Sequence, residues 1–301
     1  MPGPIRTAIG LIRLSHAFPS LVNAAATGGI ATLAGADPAT ALRLAGSMLL
    51  LQASIGAVND LVDLPLDRGQ KLAKPLPSGL VSDRLARAWA GVTGAAGLAL
   101  ALPSGPPAVV VAGLGIGLGY AYDVRLSRTI LSWVPLALAV PLVPIYGWLG
   151  ATGVIPPALV ALVPAGLLAG AGLAVGNGLV DIDRDTPVGK ATIAVRIGRD
   201  RAWAAHAGAF VVAIAIAVLL APSASSTLDA SSTLDAELLG VVRRAGIPLG
   251  AAAVAVGAGL LTSRRASVRE RGWELEAVGT AALGLGWLAG LAAAGGGGVG
   301  S

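Results

Sequence analysis

The stretch ALRLAGSMLLLQASIGAVNDLVDLPLDRG occupies residues 41–69. From Ala41 to Val58 its only charge is Arg43. A helix needs about 20 mostly apolar residues to cross a bilayer, and this run continued to Leu61 supplies them. At its end the character reverses: Asn59, Asp60, Asp63 and Asp67 come in quick succession, followed by Arg68, Lys71 and Lys74 in a loop that closes on KPLPSG. Charge is therefore concentrated where a greasy segment stops.

The rest of the chain is equally apolar. Of 301 residues, 55% are hydrophobic and 12% charged, about half the charge of an ordinary soluble domain. That is too little to cover a soluble surface, and it points to an all-α integral membrane protein. Continuous apolar runs without alternation exclude a barrel of strands. Nine spans are expected near 15–35, 41–61, 86–104, 107–122, 130–150, 156–180, 202–222, 241–262 and 273–295. They form two four-helix halves and a ninth helix around a central cavity, in one domain covering 1–301. A loop at 223–240 carries SSTLDA twice in tandem, and the glycine-rich tail 294–301 reads as flexible. With no cysteine and two histidines, disulfides, thiolate chemistry and a histidine-built metal site are excluded. No segment resembles a nucleic-acid-binding module. With the N-terminus in the cytoplasm, 18 of the 21 Lys and Arg lie on the cytoplasmic side, as the positive-inside bias requires.

A second acidic cluster, DIDRDTPVGKATIAVRIG, begins at Asp181. Four spans separate it from the first, so both helices end on the same, cytoplasmic, side. Asn59 and Asp63 are one helical turn apart, as are Asp60 and Asp63, and Asp181 and Asp185, with Asn177 one turn earlier. Carboxylates so spaced repel unless a cation lies between them. Hard oxygen ligands without Cys or His suit Mg2+, which bridges readily to phosphate oxygens. Basic residues after each cluster suit the remaining phosphate charge. Pro65 cannot continue a regular helix without loss, so a helix end is expected near Leu64, with Asp67 reaching in from the loop. Asp83 reads as a helix cap. Asp183, Asp200, His16 and His206 read as solvated, interfacial or packed groups.

Both clusters resemble the UbiA superfamily of intramembrane prenyltransferases. The NDxxDxxxD pattern is matched by Asn59, Asp60, Asp63 and Asp67, followed by Lys74-Pro75-Leu76-Pro77-Ser78-Gly79. The second motif is matched by Asp181, Asp185, Gly189, Lys190, Thr192, Arg196 and Gly198, and a tyrosine-and-basic segment by Tyr120 to Arg128. The resemblance implies Mg2+-dependent transfer of a prenyl group from its diphosphate to an acceptor within the membrane, with loss of diphosphate. It implies Asp60, Asp63, Asp67, Asp181 and Asp185 as metal ligands. Asn59, Arg68, Lys71, Lys74, Arg125 and Lys190 would bind the diphosphate. Tyr120, Tyr122 or Tyr146 would stabilise an allylic cation, and Asp67 would take the acceptor's proton. Arg13, Asn23 and Asn177 would face the cavity or the acceptor. The acceptor is expected to be an aromatic quinone precursor; chlorophyllide or a glycerol-phosphate lipid, and a membrane terpene cyclase needing no acceptor, stay open. A secondary transporter fits less well, because its sites lie near the bilayer midplane.

Overall fold

The computed structural model describes residues 3–222 and 234–295. Most of the SSTLDA repeat and residues 296–301 of the expected tail lie outside them. Among the described residues the chain is helical and has no strand: α1 (Pro4–Leu14), α2 (Ala17–Leu33), α3 (Pro38–Gln70), α4 (Asp83–Ala101), α5 (Pro106–Ala121), α6 (Val134–Thr152), α7 (Pro157–Asp185), α8 (Ile193–Ile197), α9 (Arg199–Leu219), α10 (Leu234–Leu260) and α11 (Ala266–Gly295). Eight of these helices are long and apolar enough to cross a membrane. The expected first span corresponds to α2, which has 17 residues, short of the roughly 20 that a helix needs to cross a bilayer. The expected 223–240 loop is shorter than read, because α10 already begins at Leu234.

The ends are set by local chemistry. Asp37 caps α3: its carboxylate accepts from Ala39 N at 2.9 Å and Thr40 N at 3.1 Å, ahead of Pro38 at the first helical position. Ser82, not Asp83, caps α4, accepting from Leu85 N at 3.3 Å; Asp83 is the first helical residue. α3 runs through Pro65 to Gln70, which corrects the expectation of a helix end at Leu64. Pro65 costs one amide donor, opposite the Leu61 carbonyl, and the helix tolerates it near its polar end. Asp67 is therefore a helical residue.

α2, α3, α4, α5, α6, α7, α9, α10 and α11 follow one another in contact around a ring, and α11 returns to α2. Small residues let the backbones close. On α10, Gly246, Gly250 and Gly257 meet Gly286, Gly279 and Gly272 of α11; a Cβ built on Gly286 would lie 2.8 Å from Gly246 Cα. Lipid tails are as apolar as leucine, so helices in lipid associate through such close packing. α3 has 33 residues and α7 has 29, roughly 50 and 44 Å at 1.5 Å per residue. The hydrocarbon core is about 30 Å thick, so both helices are long enough to carry their acidic ends beyond it.

Because backbone stands where a side chain at Gly286 would go, Gly286→Leu should destabilise the α10–α11 pair by about 1–3 kcal/mol. Thermal unfolding in detergent measures this; an unchanged midpoint would mean that the two helices do not depend on this contact.

Candidate functional site

The two acidic helix ends meet. Asp63, Asp67 and Lys71 from the first motif and Asp181, Arg184, Asp185 and Lys190 from the second line one small cleft, with Leu66 and Val188. Each cleft carboxylate carries a cation. Arg128 donates to Asp63 at 3.1 Å. Asp67 pairs with Lys74 at 2.7 Å and Lys71 at 3.7 Å. Arg184 pairs with Asp181, and Lys190 with Asp185 at 2.9 Å. The Ala191 amide donates to the Arg128 carbonyl at 3.1 Å, tying the loop after α7 to the loop after α5.

Asp60 stands apart from this set. It is buried and shared by Lys74 at 2.7 Å and His16 at 3.2 Å. Lys74 thus bridges Asp60 and Asp67, one from each side of Asp63. Arg13 donates to the Ala73 carbonyl at 2.8 Å and holds the loop that carries Lys74; it lines neither the cleft nor the cavity below. His16, at the α1–α2 junction, adopts a left-handed backbone at φ 47°, a strained conformation outside glycine. Its role was not legible in the sequence, because nothing local marks a histidine that pairs with a carboxylate 44 residues on.

Below the cleft is an apolar cavity of about 380 Å³, lined by α2, α3, α5, α6, α7, α9 and α11. Asn23, Asn177, Tyr122 and Tyr146 line it, as do Gln52 and Thr280, which the sequence gave no reason to single out. Asn177 and Asp181 are one turn apart on α7, so the cavity opens about 6 Å below the cleft. Tyr120 does not line the cavity: its hydroxyl bonds Ser54 at 2.7 Å, and Ser54 Oγ reaches the Ala90 carbonyl at 2.6 Å. Tyr146 donates to Ser47 at 2.6 Å.

Three residues expected to bind the diphosphate do not line the cleft. Arg68 is turned outward to Asp83 at 3.7 Å. Arg125 is exposed and lines neither space. Asn59 donates to Asp123 Oδ1 at 2.8 Å. Asp123 is buried, with no partner for Oδ2 among the described residues. It lies in the wider π-type turn Tyr122–Leu126 that ends α5, a distortion common at functional sites. Asp183, read as solvated, is paired with Arg199 at 2.7 Å and with Arg269 at 2.9 Å.

Among the described residues no three acidic or histidine groups already converge as a metal cluster. The cleft nevertheless has the donor chemistry of a Mg2+ site: four carboxylates from two facing helices, no sulfur, no imidazole. Each is now balanced by a lysine or arginine that an incoming cation would replace.

Fold and site together define a multi-pass membrane protein whose polar cleft is stacked on an apolar cavity. The model of the UbiA prenyltransferase family matches residues 20–272. The chain belongs to that family and is a prenyltransferase. Its fold is similar to a digeranylgeranylglyceryl phosphate synthase structure at 16% identity, covering 96% of this chain and 98% of that one with a TM-score of 0.66. A UbiA homologue from Aeropyrum pernix K1 is 22% identical over 91% of this chain and 97% of that one, with a TM-score of 0.68. A homologue from Archaeoglobus fulgidus bound to GPP and Mg2+ is 17% identical over 95% and 99%, with a TM-score of 0.66. At these identities the likeness is one of fold. No curated protein matches the chain.

The pairing of Lys74 sets a pH dependence. Burial pulls its ammonium down, but Asp60 and Asp67 outweigh this and hold it above the usual lysine range. A folded value above the unfolded one means that this stabilisation is complete below the unfolded value, about pH 10. It is lost as pH rises through the folded value. Lys74→Met should cost about 3 kcal/mol at pH 8, by leaving buried carboxylates uncompensated, and should remove that alkaline loss. Unfolding in detergent from pH 8 to 12 tests both; equal stability of the two proteins at pH 8 would show that Lys74 does not hold the helix end.

Proposed function

We propose that this protein transfers a prenyl group from a prenyl diphosphate to an aromatic, quinone-precursor-type acceptor, with Mg2+ in the cleft. One observation carries the reading: a cleft of four carboxylates and three basic residues lies directly over an apolar cavity. A diphosphate ester with a long hydrocarbon chain has the same two-part character. The homologue from Archaeoglobus fulgidus bound to GPP and Mg2+ supports this choice of ligands.

Asp63, Asp67, Asp181 and Asp185 would hold the metal, which when bound neutralises charge on the leaving diphosphate. Lys71, Arg184 and Lys190, freed from their carboxylates, would pair with phosphate oxygens in the same cleft. Arg128 joins them from the loop after α5. Lys74, held by both Asp60 and Asp67, would keep the loop over the site as well as meet phosphate. Tyr122, which lines the cavity at the cleft end of α5, would face the allylic carbon, where cation–π contact favours developing positive charge; Tyr146 bonds Ser47, about 24 Å down α3 from Asp63, too deep to reach it. Asp67 would accept the acceptor's proton through its second oxygen. Tyr120, fixed by Ser54, would position the α5 end instead.

The aromatic acceptor is favoured by what lines the cavity: Asn23, Gln52, Asn177 and Thr280 offer hydrogen bonds, while no Lys or Arg among the described residues lines it. A neutral phenol needs only those bonds; a glycerol-phosphate lipid would bring a second phosphate that wants a cation of its own. The preponderance of Lys and Arg at the acidic end supports a cytoplasmic site and N-terminus; the cell (inner) membrane and a single domain over residues 1–301 complete the proposal.

Protein in lipid nanodiscs, given radiolabelled geranylgeranyl diphosphate, Mg2+ and a panel of aromatic, chlorophyllide and glycerol-phosphate acceptors, should release diphosphate only with an aromatic acceptor. Release without acceptor and with a cyclic hydrocarbon would replace transfer by cyclisation. Asp67→Asn and Asp181→Asn should each lower turnover by about 10²-fold or more, and EDTA should abolish it reversibly. If Asp181→Asn keeps full turnover, the cleft is not the metal site.

A further inference from the structure

The depth of the cavity can be measured along several helices from the level of the acidic cleft. His16 of the α1–α2 junction touches Asp60, and Arg199 at the start of α9 and Arg269 near the start of α11 touch Asp183. These three mark the acidic level. Descending from them, the cavity ends at Ile30, Ala217 and Trp287, which pack together with Leu159 of α7. The distances down the helices are 14, 18 and 18 residues, or about 21 to 27 Å at 1.5 Å per residue. Along α7 the count from Asn177, one turn below the cleft, to Leu159 is 18 residues, about 27 Å.

Trp287 is the largest side chain at that floor, and it is 2% exposed. Its indole N–H has no hydrogen-bond partner among the described residues. A tryptophan at a buried site normally finds one, so here the ring's bulk rather than its polar end accounts for its place. One turn above it toward the cleft is Gly284, which also lines the cavity. A Cβ built there meets no atom of the described residues within 4 Å, in contrast to Gly286, where backbone lies at 2.8 Å. Gly284 therefore keeps a length of cavity open that any larger residue would fill.

We infer that Trp287 and Gly284 set the longest prenyl chain this protein accepts, with Trp287 closing the cavity and Gly284 leaving its last turn free. An extended isoprene unit advances about 5 Å, from four carbon–carbon bonds of about 1.5 Å in zigzag. The depth counted along the helices, with the diphosphate in the cleft, then holds about four to five units, room for a C20 chain but not for a C30 chain. A C30 chain would meet the indole ring with its last units unburied. The inference rests on the proposed prenyl-diphosphate reading and adds the chain class to it.

Binding separates the two. Non-hydrolysable geranyl, farnesyl, geranylgeranyl and C30 prenyl thiodiphosphates can be titrated calorimetrically into protein in lipid nanodiscs with Mg2+; no acceptor is needed. Affinity should rise with length to C20 as each further unit is buried, and C30 should bind about tenfold more weakly than C20, because its last units must fold back or displace the indole of Trp287. Trp287→Ala should bring C30 to within about threefold of C20. Gly284→Leu, about 4.5 Å nearer the cleft, should weaken C20 by about tenfold and leave farnesyl the tightest ligand. The glycine variant adds a helix-favouring residue at an open position, so it tests the inference even if the tryptophan variant fails to fold. Equal affinity for C20 and C30 in the unaltered protein, or no change of length preference in Gly284→Leu, would overturn it. If no thiodiphosphate of any length binds with Mg2+, the prenyl-diphosphate reading itself fails.

Discussion

Four carboxylates on two helices running the same way can face each other only if positive charge lies between them. That requirement organises the upper half of this protein. Asp63, Asp67, Asp181 and Asp185 are drawn to one cleft, and Arg128, Lys74, Arg184 and Lys190 come from four separate places in the chain to balance them. The loop after α3, the turn after α5 and the loop after α7 take their positions from these pairs. The same cations that keep the cleft closed are those a diphosphate would need. The cost of gathering acidic groups is thereby offset in two ways, by lysine and arginine or by metal and phosphate, and the cleft is suited to exchange one for the other.

Most of the fold was legible because hydrophobic length is a strong signal in a membrane. Eight of the nine expected apolar runs became helices able to cross it, with ends displaced by as much as eight residues. The cluster that faces the cleft was equally legible, since aspartates at intervals of one turn at the end of an apolar run have few other uses. What failed was local. Pro65 suggested a helix end, yet a helix end beyond the bilayer can lose one amide bond and go on, and this keeps Asp67 on the face that meets α7. Asp60 looked equivalent to Asp63 by spacing, but a difference of three residues turns it toward His16 and Lys74. Arg68 and Arg125 belonged to the right loops and point elsewhere, because sequence position does not fix the rotation of a side chain about a helix that ends in a turn. Asp123, His16 and the lining residue Gln52 are sited by tertiary contacts alone.

The lower half obeys the opposite rule, that nothing charged should face the hydrocarbon. There the structure is built from close approach. Glycines on α10 and α11 bring backbones into contact, while Gly119 and Gly150 accept the side chains of Ile55 and Leu44. Close packing on the outside of the ring leaves the interior free, and the residues around the cavity are small or apolar, with a few amides and hydroxyls. A space that must admit a hydrocarbon chain and then hold a reactive carbon needs both properties: walls that cannot trap a charge, and a small number of groups that fix orientation.

His206 and Glu276 show how strictly that rule is kept. Both are wholly buried behind the cavity wall, on α9 and α11. His206 Nδ1 lies 2.8 Å from the Gly172 carbonyl, which can only accept, so Nδ1 carries a proton; Nε2 lies 2.8 Å from Glu276 Oε1. A second proton is then shared between ring and carboxyl, and wherever it resides the pair has no net charge. A lone glutamate at this depth would carry a cost of several kcal/mol. Gly176 makes room for the pair: a Cβ there would lie 3.2 Å from both Glu276 Oε2 and His206 Cε1. Three helices are thus joined by polar contacts while Phe210, Trp273 and Ala277 present an uncharged face to the cavity. The separation of the molecule into a charged cleft and a neutral cavity is therefore maintained by pairing on both levels, with cations supplied to the carboxylates above and a shared proton supplied to the one below.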